Sequence, residues 1–353
     1  MKKGVLFINL GTPEAPQSKE VGVYLKEFLM DPYVIDYPAL FRWLLVNGII
    51  VPFRSPKSAA AYREIWTEEG SPLLINTKNF TQAFKKQSDG QDWVVDFAMR
   101  YGAPSISEKL KSMCQQGIDH LDVIPMYPQY ALSSTESSVD CVRQVLKELG
   151  AKVKVRYLGS FFEDDFFISS LVSKVKEQLG DDPSAYPFIL FSYHGLPERH
   201  IKKLDPSGQC FSHADCCKDP KERLRFCYRA QSLRTTRRVA ESLGLASDRY
   251  STAFQSRLGR EPWLTPATDI VLEELPAKGI SDLAVICPSF TADCLETLEE
   301  IEMRGRESFL SSGGTSYQMV PCLNADPSWV QAFFLGYQKE QLGMLDLDQI
   351  VYQ

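Results

Sequence analysis

Residues 187–200 read PFILFSYHGLPERH, and the conformation of this stretch decides the fold. Phe188, Ile189, Leu190, Phe191 and Tyr193 surround Ser192 in an apolar run too short for most helices, bounded by Pro187 and Gly195, which predicts a buried strand. His194 then stands at the carboxyl end of that strand, where Gly195 and Pro197 turn the chain at once. In open parallel α/β sheets ligands bind in the crevice beyond the strand ends, so a histidine there faces a site. The plainer reading is a neutral, hydrogen-bonded histidine beside a turn. A second segment, 283–301, LAVICPSFTADCLETLEEI, repeats the architecture: a strand at 283–287, a break at Pro288, and a helix opened by Asp293 and Glu296. Acidic residues in a first helical turn also suit the helix dipole, which is their plainer reading.

Working outward, strands are expected at 4–10, 93–99, 121–126, 153–158, 250–255 and 317–320, with helices between them at crossover length. Such alternation predicts parallel sheets covered on both faces, in two similar α/β halves with a cleft between them. The helix at 328–342 has no strand of its own in the second half and is expected to return to the first. With 353 residues and 44% hydrophobic content the chain can bury a substantial core. A net charge of -6 and the lack of any dense Lys/Arg run exclude a nucleic-acid footprint. No G-x-G-x-x-G follows the first strand and no G-x-x-x-x-G-K-[ST] occurs, so neither a dinucleotide nor a nucleoside triphosphate is suggested.

The opening MKKGVLFINLGTPE carries two lysines and a short apolar run, but Asn9 and the following Gly-Thr-Pro fit a buried strand better than a signal peptide; the expectation is a cytoplasmic protein. Residues 39–53, ALFRWLLVNGIIVPF, form the most apolar extended piece, interrupted by Arg42, Asn47 and Pro52 and short of the roughly 20 residues that span a bilayer. Two readings stand: an ordinary core helix, or an apolar lip that receives a greasy ligand or touches a membrane surface. Of nine cysteines, Cys114, Cys141, Cys287, Cys294 and Cys322 are dispersed among apolar segments and read as small core residues or helix-facing thiols.

Eight segments together resemble ferrochelatase, the enzyme that inserts ferrous iron into a porphyrin. They are LFINLGTPE at 6–14, RSPKSAAAY at 54–62, GSPL at 70–73, RYG at 100–102, YPQY at 127–130, FSYHGLP at 191–197, QSRLGREPWLTP at 255–266 and SFTADCLETLEEI at 289–301, and they cover nearly the full length. The pairing of SxHGLP with a downstream FxxDxxET is specific to that family. The resemblance implies two Rossmann-like doubly wound domains with parallel sheets and a porphyrin cleft between them, the first over 1–155 plus 327–353 and the second over 156–326. It implies protoporphyrin IX and ferrous iron as substrates and protohaem as product.

The chemistry suits these residues independently. Metallation replaces two pyrrole N–H protons with one divalent ion, so a site needs a proton acceptor near the ring centre and ligands that strip water from iron without holding it permanently. His194 is the candidate acceptor and transient ligand, and Glu296 its partner across the ring. Glu300 lies four residues on, on the same helical face, where it extends a carboxylate path; the plainer reading, preferred for Glu299 and Glu302, is a solvated acidic face. Arg304 breaks the row. A porphyrin is an apolar plate with two anionic tails. By resemblance Leu10, Trp263 and Phe290 touch the ring, and Tyr62, Arg100, Tyr101 and Asp293 are polar neighbours. Arg54, Lys57 and Ser256 hold propionates, which favours protoporphyrin over coproporphyrin. Solvation at a helix start is the alternative for Arg54 and Lys57.

The second domain carries a cysteine-rich insert over 205–228; the string GQCFSHADCCKDPKERLRFCYRA at 208–230 contains its Cys210, Cys216, Cys217 and Cys227. Four thiolates in one loop are the full complement for a [2Fe–2S] cluster or a structural zinc, with His213 as a spare ligand; unmetallated thiols are the plainer reading. Some ferrochelatases carry such a cluster on a cysteine-rich tail plus one cysteine after YPQY; here that position is Leu132 and the tail beyond Cys322 has none. A subset of bacterial members places all four ligands internally, and the insert resembles that arrangement. The rivals to a ferrochelatase are a chelatase for another metal or tetrapyrrole, and a noncatalytic haem or metal carrier; retention of both His194 and Glu296 argues against the carrier.

Overall fold

The computed structural model describes residues 2–347 apart from 206, 213–215, 218–225, 258 and 260. Its strands are β1 (Lys3–Gly11), β2 (Trp93–Tyr101), β3 (His120–Pro125), β4 (Lys154–Leu158), β5 (Phe188–His194), β6 (Tyr250–Gln255), β7 (Asp282–Ile286), β8 (Ser316–Met319) and β9 (Met344–Asp346). The chain divides into two compact units, 1–127 with 132–160 and 325–353, and 128–131 with 161–324. The first holds a sheet in the order β2-β1-β3-β4-β9, parallel except for the β4–β9 pair; the second holds an all-parallel sheet β6-β5-β7-β8. Each sheet therefore sets its first strand between its second and third. That order reverses direction across β1 in one unit and β5 in the other, the arrangement that opens a crevice at the carboxyl end of the strand. Leu10 and His194 occupy those ends.

The expected α/β class and all eight expected strands are present, and the capping box at Ser105 with Glu108 is formed. β9 went unforeseen: three residues, MLD, lack the length that marks a strand in sequence, and pairing with Arg156–Leu158 creates it. In the first unit Phe7 of β1 meets Phe80, Phe84 and Phe333 edge-on, with centroids 5.2, 4.9 and 6.0 Å away, so helix Pro327–Gln338 supplies part of this core. The other face of the sheet buries Leu6, Ile8, Leu110, Met113, Val123 and Val142. In the second unit Leu190, Val285, Ile301 and Phe309 fill the corresponding layer.

Two helical expectations are corrected. The core-helix reading of 39–53 fails: helix Ala39–Leu45 buries no residue, and Leu40 and Phe53 are 73% and 75% exposed. The chain continues through a π-helical stretch Val46–Ile50 into helix Val51–Ile65, so Arg54 and Lys57 lie within a helix rather than at its start, and Pro56 sits inside it. The helix expected from 296 is a π-helix over Glu296–Gly305 leading into a short α-helix Arg306–Ser311. The side chain of Gln255 donates from Nε2 to the Glu296 carbonyl at 2.8 Å, and a side chain inserted into the carbonyl ladder is a recognised cause of a widened turn.

Candidate active site

The second unit builds its site at the end of β5. Pairing with β6 and β7 fixes the strand to His194, whose backbone N–H donates to Ser289 Oγ at 3.1 Å. The next residue must be glycine: a Cβ on Gly195 would stand 2.7 Å from the Gln255 carbonyl that its own N–H binds, also at 2.7 Å. His194 Nδ1 lies 2.6 Å from the Gly195 carbonyl oxygen. A carbonyl can only accept, so Nδ1 carries the proton and Nε2 of the neutral ring keeps its lone pair. Half-buried, and with Phe290 6.3 Å away between ring centroids, this imidazole is a base with one committed edge and one free one.

Gln255 and Ser256 at the end of β6 organise the neighbours. Gln255 Oε1 accepts from Ser192 Oγ at 2.7 Å while its Nε2 holds the Glu296 carbonyl. Ser256, at φ 64°, donates its N–H and its hydroxyl to the two carboxylate oxygens of Glu300, at 2.9 and 2.5 Å. Burial pushes the Glu300 carboxyl above its ordinary range; the Ser256 bonds and His194 pull it down, and Glu296 pushes it up again. His194, Glu296 and Glu300 thus share one electrostatic neighbourhood. Arg304, which breaks the acidic row, pairs with Glu299 at 2.7 and 2.9 Å.

Trp263 pairs across an isolated bridge with Pro197, just beyond the histidine turn. Asp293 lies buried just ahead of the π-helical segment. Its buried carboxylate accepts from Thr297 Oγ1 (3.0 Å), Cys322 N–H (3.2 Å) and Asn324 Nδ2 (2.7 Å), which ties 322–324 to the start of the π-helical segment.

In the first unit Leu10 is the penultimate residue of β1, where Gly11 and Gly102 let two strand ends approach. A Cβ on Gly11 would lie 1.8 Å from the Tyr101 carbonyl oxygen, and one on Gly102 2.6 Å from that of Thr12. Arg100 and Tyr101 converge on Asp31. Its Oδ2 accepts from Arg100 Nη2 (2.6 Å), Tyr101 Oη (2.8 Å) and Ser137 Oγ (2.6 Å), and its Oδ1 from the Tyr33 N–H (2.7 Å). Tyr101 is 1% exposed, and its ionisation is pushed far up by burial and then by Asp31. Tyr62 is also buried, against Tyr24 and Trp66. Arg54 and Lys57 are exposed, three residues apart on one helix face.

The four insert cysteines form one connected set. Cys227 hydrogen-bonds both Cys210 and Cys217, and the Cys216 and Cys217 sulfurs are 3.8 Å apart. The bond from Cys227, with Arg229 Nη1 3.1 Å from its Sγ, brings the Cys217 thiol down to about 6 against the effect of burial. The bond to Cys210 first, and that to Cys217 next, push Cys227 up. The thiols are thus linked in the order Cys210, Cys227, Cys217, Cys216, beside the Arg229 guanidinium. Among the described residues no three or more His, Cys, Asp or Glu side chains are set around a single ion. His213 lies outside the described residues. Of the dispersed cysteines, Cys287, Cys294 and Cys322 are buried, and burial pushes their thiols well up.

A model of the ferrochelatase family matches residues 2–338. The chain belongs to the ferrochelatase family. It is 45% identical over 332 residues to a ferrochelatase of Bdellovibrio bacteriovorus, covering 94% of this chain and 97% of that protein. With a ferrochelatase of Ectopseudomonas mendocina it shares 44% identity over 93% of this chain and 95% of the relative. Among solved structures, SirB from Bacillus subtilis with Fe3+ superposes with a TM-score of 0.56 over 97% of this chain and 96% of that one, at 11% identity, a likeness of fold. Ferrochelatases are enzymes of haem biosynthesis that insert a metal into a porphyrin, and the two parallel-dominated sheets described above are the chelatase fold. Asp31, Ser137 and Gln255 escaped the sequence reading. Only the fold shows which donors the Asp31 carboxylate collects.

Proposed function

We propose that this chain inserts Fe2+ into protoporphyrin IX to give protohaem, with His194 as proton acceptor and transient ligand and Glu296 as its partner at the ring. The observation that carries the reading is the commitment of Nδ1–H to the Gly195 carbonyl, which leaves the Nε2 lone pair for a pyrrole proton or for iron. Glu300, whose charge His194 favours and Glu296 opposes, extends the carboxylate path by which a hydrated cation sheds water. Leu10, Phe290 and Trp263 serve as ring contacts, with Tyr62, Arg100, Tyr101 and Asp293 shaping their surroundings. Arg54, Lys57 and Ser256 receive propionates, which supports protoporphyrin over coproporphyrin. Anaerobic ferrous insertion, measured beside His194→Ala and Glu296→Gln, tests this. Turnover should fall about 10²–10⁴-fold with porphyrin binding retained. Haem binding without turnover in the unsubstituted protein would establish the carrier instead, and preferential insertion of another metal would establish the rival chelatase.

Cys210, Cys216, Cys217 and Cys227 are proposed to hold a [2Fe–2S] cluster, which when bound supplies a one-electron couple and a cross-link for the insert. The contacts among the four sulfurs support this. Anaerobically purified protein should be red-brown and lose that absorption in Cys216→Ser; a colourless protein containing zinc would reverse the assignment.

A cytoplasmic protein with peripheral membrane contact through 39–53 is the proposed location. No helix among the described residues is long and apolar enough to cross a membrane. Support for contact comes from Leu40, Phe41, Trp43, Leu44, Ile49 and Phe53, all more than half exposed on neighbouring turns. Sedimentation with anionic phospholipid vesicles should weaken in Phe53→Ser; equal sedimentation would remove the contact.

A further inference from the structure

Ser256 presents an unusual pair of donors. A non-glycine residue at φ 64° is uncommon, and here its backbone N–H and its hydroxyl reach the same carboxylate, that of Glu300. Such convergence of two donors from one residue is a receptor for a single carboxylate. Glu300 is held there by opposed forces. Burial and Glu296, four residues back, work against its charge, while the Ser256 bonds, His194 and Arg304 favour it, and Arg304 gives its guanidinium hydrogen bonds to Glu299. A tetrapyrrole propionate is chemically the same group as the Glu300 side chain, and it arrives on an apolar plate whose burial drives binding. At Ser256 the exchange of one carboxylate for the other conserves the hydrogen bonds.

We infer that Glu300 is an internal latch: its carboxylate fills the Ser256 receptor, an incoming propionate displaces it, and the displaced carboxylate becomes free for the cation beside His194 and Glu296. This rests on the proposed porphyrin chemistry and adds an order to it, since arrival of the porphyrin readies the carboxylate that handles iron. It also makes Glu300 a competitor of the substrate at Ser256, which a purely iron-conducting role would not.

The test is iron-free binding of protoporphyrin IX and of its dimethyl ester, followed by fluorescence quenching. Unsubstituted protein is compared with Glu300→Ala, Glu300→Gln, Ser256→Ala and the Ser256→Ala/Glu300→Ala pair, each checked for fold by circular dichroism. Glu300→Ala should tighten binding of the diacid about tenfold, the worth of one charge-assisted hydrogen bond, and leave the ester unchanged. Glu300→Gln, which keeps the shape without the charge, should give a smaller gain in the same direction. Placed on Ser256→Ala, which keeps only the backbone N–H of the receptor, Glu300→Ala should give a clearly smaller gain. Unchanged or weaker diacid binding in Glu300→Ala, equal tightening of the ester, or tightening that is undiminished in the double variant each overturns the latch. Failure of the unsubstituted protein to bind the diacid at all overturns the proposed function and the latch with it. Normal binding with no response at Glu300 overturns the latch alone.

Discussion

Asp31→Asn tests whether the carboxylate beneath Arg100 and Tyr101 is the brace its geometry implies. Asp31 Oδ2 accepts three hydrogen bonds, from Arg100, Tyr101 and Ser137, and Oδ1 accepts one from the Tyr33 N–H. Every partner is a donor to it. Asparagine offers one oxygen and one NH2 group, so either orientation aims a donor at a donor, and the guanidinium loses its counter-charge. Breaking a buried ion pair by removing one member costs about 3–5 kcal/mol. The Arg100 side chain keeps 18% of its exposure, so water recovers part of the loss and the expected cost is about 2–4 kcal/mol. For a cooperative unit of this size that is a fall of about 5–15 °C in Tm. Differential scanning calorimetry of Asp31→Asn, Arg100→Gln and the double variant measures it. The double variant should be more stable than the sum of the single losses allows, by about 1–3 kcal/mol, because it no longer leaves a charge unpaired. A fall under about 2 °C for Asp31→Asn, or strict additivity, would refute the reasoning.

Two titratable groups in the second unit give pH dependences of opposite sign. Burial, and after it Arg199, lowers His200 to about 4, and both of its ring nitrogens are buried without a hydrogen-bond partner. The native state therefore holds it neutral. Its contribution to stability is complete above about pH 6.5 and is lost as pH falls toward 4, so His200→Leu should flatten the decline of Tm across that window; an unaltered slope would contradict this. Burial first, then Glu163 and Asp165, raise Asp164 to about 6. The unfolded chain ionises first, so stability falls as pH rises from about 4 to 6, and Asp164→Asn should raise Tm above pH 6 while changing little below pH 4. Thermal melts at pH 4 and pH 7 decide it, and a gain at both would dismiss the charge as the cause. Gly11→Ala should lower stability by about 3 kcal/mol or more, because its Cβ would meet the Tyr101 carbonyl oxygen at 1.8 Å. At Gly70, also at positive φ but with nothing within 4 Å of a Cβ, alanine meets only backbone strain and should cost about 1 kcal/mol. Equal urea midpoints for the two variants would exclude the steric clash.

The sequence by itself determined the α/β class, the eight longer strands and the position of His194, because short apolar runs closed by Gly and Pro are local signals and strand ends in such sheets are where sites form. It also determined, through matched segments, the family. Only the tertiary structure decided that Asp31 gathers Arg100, Tyr101 and Ser137, that Ser256 is tied to Glu300, that the segment from Glu296 winds as a π-helix, and that 39–53 faces outward. The physical reason is common to all four. A carboxylate's charge is visible in sequence, but its donors come from residues as far as 106 positions away. A helix can be foreseen from its pattern, whereas the side chain that widens it sits on another strand. An apolar run has the same letters whether it is covered or exposed.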